Sequence, residues 1–361
     1  MAFIGNETPI ASSWSLVVGL PTRVELHFLY APPRSRLNRR DFRLPARHWR
    51  GTFVIDRCIR SIACLNHAQR KSPLMTAPER FRALLAKPDF VVMPAVWDGL
   101  SAKMAAKAGF ATAFMSGSCV AASRLGGPDL DLISFAEMFD SFNMVRAAAP
   151  ETLVLADGDH GYGNPMNVQR TVRAYGRAGA AAILIEDKIT PRALTAGGKP
   201  CIPRDEARMK VRAAVEAAKD SGILIMARTD CRPTAGIDEA VARIEMYVEE
   251  GAEILFLDSP ADEAEIKRAV AAAKGRPSFA VLSPGAPRET PTRARAAELG
   301  LKIGTYPTAM LSPAAAGIKA GLAALSAGEA ESKMALSPAE LRETLGYADY
   351  EANAKPYAPK S

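Results

Sequence analysis

The chain has no uninterrupted run of about 18 apolar residues, the length a helix needs to cross a bilayer, so no membrane partner is expected. Histidine is scarce: His27, His48 and His67 lie near the start and only His160 lies in the remainder. That scarcity argues against a His-rich metal site or a Ser-His-Asp triad. The five cysteines (Cys58, Cys64, Cys119, Cys201, Cys231) form no CxxC pair and are odd in number. A zinc ribbon and a disulfide framework are therefore not expected, and a reducing, cytoplasmic setting suits the chain.

Positive charge is missing where it would matter for nucleic acid. The 361 residues carry a formal charge of +7, yet residues 1–74 hold 12 Lys+Arg against 4 Asp+Glu, leaving 34 against 35 for the rest. The basic character belongs to an irregular N-terminal extension, and no nucleic-acid partner is expected for the body. Residues 1–74 read as a basic leader, disordered or not native to the folded protein. It fits a transit segment only in part. Met75 opens a helix whose start is marked by Thr76 as cap and Pro78 in the first turn, and is read as the natural beginning.

What is present is a core. Hydrophobic residues make up 48% of the chain, enough for one large domain. From residue 88 onward, short apolar runs alternate with helical patterns. Eight runs read as strands: 90–94, 111–115, 152–156, 182–185, 223–227, 254–257, 279–282 and 302–305. Between them lie helices such as 238–250, with Val241, Ile244, Tyr247 and Val248 on one face. Gly109, Gly179, Gly251 and Gly300 recur just before strands two, four, six and eight, each closing a helix. The expected fold is a single-domain α/β (β/α)8 TIM barrel over 75–330, followed by a C-terminal helix and tail at 331–361. A doubly wound sheet is the runner-up.

Polar residues cluster where these runs end. Asp157 and Asp159 follow the third run, Glu186 the fourth, Arg228 the fifth and Ser116 the second. In a β/α barrel such positions face the catalytic mouth, and burying their charges is costly unless they bind something. Asp157, Asp159 and Glu186 are candidate metal ligands of the oxygen-donor kind that suits Mg²⁺. Ser116, Gly117 and Ser118 form a turn whose amides and hydroxyls suit a carboxylate. Arg228 reads either as a carboxylate or enolate clamp or as a structural partner of Asp230 or Glu186. His160 is an acid/base candidate or an ordinary loop histidine. Asp258 and Tyr306 are candidate pocket walls, and Tyr306 is carried as a possible catalytic group. The segment 189–202, with its glycines and prolines, reads as a lid.

Ser116-Gly117-Ser118, Asp157-x-Asp159-x-Gly161-Tyr162-Gly163-Asn164, Ile185-Glu186-Asp187 and Ala227-Arg228-Thr229-Asp230 together resemble the isocitrate lyase/phosphoenolpyruvate mutase superfamily. The resemblance runs in order over about residues 78–330. It implies a barrel enzyme using Mg²⁺, or Mn²⁺, that breaks or forms a bond next to an α-oxo or 2-hydroxy carboxylate through an enolate. It implies Asp157 as direct metal ligand, Asp159 and Glu186 holding its waters, Ser116–Ser118 on the substrate carboxylate and Arg228 on the enolate side. It also implies a homo-oligomer, dimer or tetramer, with the last barrel helix exchanged between neighbours.

The branch within the superfamily is divided. The lyases acting on isocitrate or methylisocitrate carry a lid with a cysteine where this chain has Leu194, and Cys201 comes later. Asp159-His160-Gly161-Tyr162-Gly163-Asn164 is similar to the oxaloacetate decarboxylase branch, which has a histidine near the end of strand eight, where this chain has Thr305-Tyr306-Pro307. Lys188 and Pro191 are similar to members that process phosphonopyruvate. The expected activity is a carbon–carbon lyase on a small dicarboxylate, oxaloacetate decarboxylase-like or 2-methylisocitrate lyase-like. The alternatives are a phosphonopyruvate mutase or hydrolase, or a barrel that binds a keto acid without turnover.

Overall fold

A computed structural model of the chain describes residues 75–191, 199–283 and 290–358. The leader and the middle of the lid, including Arg192 and Leu194, lie outside the described residues. Eight parallel strands close in sequential order: β1 (Val91–Val96), β2 (Thr112–Met115), β3 (Leu153–Asp157), β4 (Ala182–Glu186), β5 (Leu224–Thr229), β6 (Ile254–Leu257), β7 (Ser278–Val281) and β8 (Ile303–Tyr306). All eight expected strands are present, displaced by no more than a residue or two. The barrel is closed by β8 against β1, Val91 opposite Ile303 through Pro94 opposite Tyr306.

The helices are α1 (Ala77–Leu85), α2 (Gly99–Lys107), α3 (Gly117–Leu125), α4 (Phe135–Ala148), α5 (Pro165–Arg177), α6 (Arg204–Ala218), α7 (Arg232–Glu250), α8 (Glu263–Ala272), α9 (Arg293–Glu298), α10 (Pro307–Ser326), α11 (Pro338–Leu345) and α12 (Tyr347–Ala354). Thr76 caps α1 through a reciprocal capping box with Glu79, with proline in the first turn, as its sequence signals require. Gly109, Gly179, Gly251 and Gly300 all adopt positive φ, between +86° and +98°. The left-handed turn there lets each helix reverse directly into the following strand.

Strand parity sets what reaches the mouth. Met93, Phe114, Leu155, Leu184, Met226, Phe256, Phe279 and Ile303 fill the barrel interior as one cluster. Alternate residues such as Met115, Val154, Ala156, Ile183, Ile185 and Ile225 pack outward with α4, α5 and α6. Two residues beyond the inner layer, the inward positions become Ser116, Asp157, Glu186, Arg228 and Asp258. The same parity turns Ile185 and Asp187 outward.

Two expectations need correction. The C-terminal helix resolves into two, α11 and α12, broken at Gly346 with φ +81°. Secondly, Ala309–Ser326 is long and apolar enough to cross a membrane by length and composition, with only 6% of it buried. Counting uninterrupted apolar runs missed it because serine, proline, glycine and Lys319 are interspersed among the alanines and leucines.

Candidate active site

At the carboxyl end of the barrel, β2 runs into α3 through Ser116, whose Oγ lies 3.0 Å from Ser118 Oγ. The Gly117 amide donates to Asp157 Oδ2 at 3.0 Å. A side chain on Gly117 would put Cβ 2.9 Å from Asp157 Oδ2 and 3.5 Å from Asp159 Oδ1, so this approach requires glycine. Both carboxylates thus front the same space above the first turn of α3, where free amides favour negative charge. The Asp159 amide donates to Asp157 Oδ1 at 3.1 Å, and the Tyr162 hydroxyl to Asp159 Oδ2 at 2.6 Å.

The three acids repel one another. Burial, reinforced by the Glu186 charge, pushes Asp157 up to about 6 against the opposing pull of Arg228 and the Gly117 amide. Burial and the charges of Asp157 and Glu186 raise Asp159 well above the usual range. Glu186 leans on two cations: Lys188 Nζ at 2.7 Å from Oε1 and Arg228 Nε at 3.4 Å from Oε2.

Arg228 is held by Asp230, with Nε donating to Oδ2 at 2.8 Å and Nη2 to Oδ1 at 2.6 Å. Its guanidinium carbon lies 5.0 Å from the centre of the Phe256 ring, a cation–π contact. Lys199, returning from the lid, donates to Asp230 Oδ1 at 2.9 Å and Asp258 Oδ2 at 3.0 Å. This sub-network of Arg228, Lys199, Asp230 and Asp258 balances its own charge. The rest does not: Asp131, Asp157, Asp159 and Glu186 have Lys188 and only the outlying reach of Arg228 to offset them.

A divalent cation fits that donor set. The ligands are hard oxygens, they share one space, and their excess negative charge is relieved by a cation. Among the described residues no three His, Cys, Asp or Glu side chains close on a single point as a cage. Mg²⁺ needs none, since it takes one or two carboxylates and keeps several waters.

Among the sequence candidates, Ser116, Gly117, Ser118, Asp157, Asp159, Glu186 and Arg228 come together. His160 is half-buried, its ring 5.5 Å from that of Tyr162 and its Nδ1 buried without a partner among the described residues. Burial, with Lys210 and Lys188 adding to it, lowers His160 to about 4, so the imidazole is neutral near pH 7 and a weak base there. Tyr306 is a correction. It packs with Ile266, Leu282, Ala296, Leu299 and Leu301, because Ile303 and Thr305 take the inward positions of β8. A strand-end residue one step out of parity faces the helices. Sequence reasoning passed over Lys199 and Asp131. Nothing in Pro-Asp-Leu-Asp-Leu distinguishes Asp131 from a solvated turn residue.

The closed parallel barrel, with acids, an arginine and a helix N-terminus gathered at its carboxyl end, defines a (β/α)8 enzyme. Residues 81–326 match the phosphoenolpyruvate phosphomutase family, and the chain belongs to it. It is 38% identical over 238 residues to 2,3-dimethylmalate lyase of Eubacterium barkeri, covering 66% of this chain and 82% of that one. Across curated relatives the matched part spans between 58% and 82% of their length. The structure of oxaloacetate acetylhydrolase in complex with 3,3-difluorooxalacetate superposes with a TM-score of 0.74 at 31% identity, over 79% of this chain and 98% of that one. Phosphonopyruvate hydrolase in complex with oxalate and Mg²⁺ superposes with a TM-score of 0.69 at 28% identity, over 78% and 99%.

Proposed function

We propose that this protein is a Mg²⁺-dependent lyase that cleaves a carbon–carbon bond next to an α-oxo or 2-hydroxy carboxylate. Its substrate is a small dicarboxylate of the oxaloacetate or 2-methylisocitrate kind, and an enolate is the first product of cleavage. One observation carries the reading: the buried carboxylates of Asp157 and Glu186 and the half-buried one of Asp159 gather beside a helix N-terminus and Arg228. Anion-binding and cation-binding groups thereby share one mouth. A neighbour bound to a fluorinated oxaloacetate and another bound to oxalate and Mg²⁺ support the same chemistry.

Asp157 would hold the cation directly, with Asp159 and Glu186 on its waters. When bound, Mg²⁺ (or Mn²⁺) supplies Lewis-acid polarisation of the α-oxygen. The Ser116 and Ser118 hydroxyls and the first amides of α3 grip the substrate carboxylate. Arg228, held in place by Asp230, stabilises negative charge as it develops on the enolate oxygen. His160, neutral near pH 7, relays a proton rather than holding one. The free thiols of Cys119, Cys201 and Cys231 support a cytoplasmic setting.

The test follows oxaloacetate decay by the full chain with Mg²⁺, with chelator, and in Asp157→Ala. Metal-dependent decay that disappears in the variant is the expected result. Equal decay in all three refutes the reading. The phosphonopyruvate reading is kept alive by the family match and the phosphonopyruvate hydrolase neighbour. Release of inorganic phosphate from phosphonopyruvate, without decay of oxaloacetate, would favour it.

The proposed assembly is a homo-oligomer seated on α10, where Ile318, Leu322 and Leu325 are 67%, 62% and 64% exposed. Sedimentation velocity on the full chain should give a dimer or tetramer. Leu322→Glu should shift it toward monomer.

A further inference from the structure

Lys188 has no role in the reaction outlined above, yet it is buried directly against the acid cluster, on the side of Glu186 away from Arg228's contact with Oε2. Its side chain is 7% exposed, and its ammonium lies 2.7 Å from both Glu186 Oε1 and Asp131 Oδ1. Those carboxylates are themselves 3% and 2% exposed. Asp131 reaches the lysine from a backbone with φ +62°, a conformation side chains other than those of Asn and Asp seldom tolerate. Its second oxygen, Oδ2, is buried without a partner among the described residues.

The lysine backbone is anchored. Lys188 bridges Cys201 in antiparallel fashion, the Ile189 amide donates to Pro200 O at 2.8 Å, and the Ile202 amide to Asp187 O at 2.9 Å. Only the side chain is free to redistribute, and it has two carboxylates to choose between. Glu186 is one of the three acids read as holding the cation, and Asp131 is not. A lysine drawn to Glu186 competes with any cation at that carboxylate, and a lysine drawn to Asp131 competes less.

We propose that Lys188 is a built-in counter-cation, shared between Glu186 and Asp131, that sets how tightly the site takes its divalent ion. This rests on the metal reading of Asp157, Asp159 and Glu186. Lys188 acts through Glu186, as a positioning residue, and Asp131 is the carboxylate to which its ammonium withdraws. The two partners therefore have opposite effects. Removing the lysine charge takes away a competitor, while removing the Asp131 charge leaves the lysine committed to Glu186.

The test is Mg²⁺ and Mn²⁺ binding to the full chain by isothermal titration calorimetry, with no substrate present. Lys188→Met should tighten binding roughly tenfold and Asp131→Asn should weaken it by a similar factor, as expected for a unit charge a few ångströms from the ion. The Lys188→Met/Asp131→Asn pair should bind like Lys188→Met alone, because Asp131 acts through the lysine, and Lys188→Arg should stay within about threefold of the parent. A thermal melt of each variant verifies folding, and Lys188→Gln replaces Lys188→Met if the latter does not fold. Saturable binding in the parent that neither substitution moves, or that Lys188→Met weakens, overturns this inference alone. No saturable binding in the parent overturns the metal reading and this inference with it.

Discussion

Asp187 offers a severe test of how the barrel holds its mouth. It follows Glu186 in sequence but points the opposite way, out of the barrel toward α7. Its side chain is buried, accepting from the Asp230 amide at 2.9 Å, Arg243 Nη1 at 3.0 Å and the Tyr247 hydroxyl at 2.8 Å. Asp187→Ala removes three hydrogen bonds and strands a buried guanidinium. Breaking a buried pair from one side costs about 3–5 kcal/mol. Arg243 keeps Glu239 and Ile202 O as partners, so the lower end applies. About 3 kcal/mol corresponds to a fall in Tm of roughly 6–12 °C for a domain of this size. Tyr247→Phe, which removes one hydrogen bond, should cost only about 1 kcal/mol. Urea unfolding of both variants gives the two numbers. The damage should also reach the site, because the Asp230 amide loses its acceptor and Asp230 holds the Arg228 fork. Activity at 25 °C, where the variant is still folded, should therefore drop as well. A loss below about 1 kcal/mol for Asp187→Ala, or unchanged turnover, would refute this account.

Three further outcomes follow from the same geometry. Asp159 is raised by burial and its acidic neighbours, so in chelator the folded protein loses stability as pH climbs from the unfolded value, near 4, through the raised folded one. Asp159→Asn should melt higher than the parent, with a gap that widens from pH 5 to pH 9 and closes when Mg²⁺ is added; a gap that narrows with pH contradicts the assignment. Gly117→Ala should destabilise the protein by about 1–3 kcal/mol in urea unfolding and abolish activity, since its Cβ meets Asp157 Oδ2 at 2.9 Å. Tyr306→Phe should keep turnover within about threefold of the parent, because that ring faces the α8–α9 side; a hundredfold loss would return it to the catalytic set.

Much of the fold was legible because it depends on local signals repeated many times. Parallel strands buried on both faces read as short apolar runs, and each βα unit announces itself by a helical period and a closing glycine. The acids at strand ends were legible for a related reason. Asp157 and Glu186 interrupt runs that are otherwise wholly apolar, and such a charge is costly without a purpose. Arg228 stood out in the same way.

Parity and partnership were not legible. The last residue of a strand faces the mouth or the helices according to a register that closes only when β8 pairs with β1, and there Tyr306 was misassigned. Nor does the sequence decide between the two readings of Arg228, which Asp230 grips, or indicate that Lys199 returns from the lid to the same acids or that Asp131 turns inward to share a lysine with Glu186. The contacts of Lys199 with Asp230 and Asp258, and of Lys188 with Asp131, join residues 31 to 59 positions apart. Hydrophobic patterning determined the barrel and the strand ends that carry its chemistry, because burial acts on every residue of a run. Only the tertiary structure decided which charges meet, because an ion pair depends on two distant side chains arriving within about 3 Å.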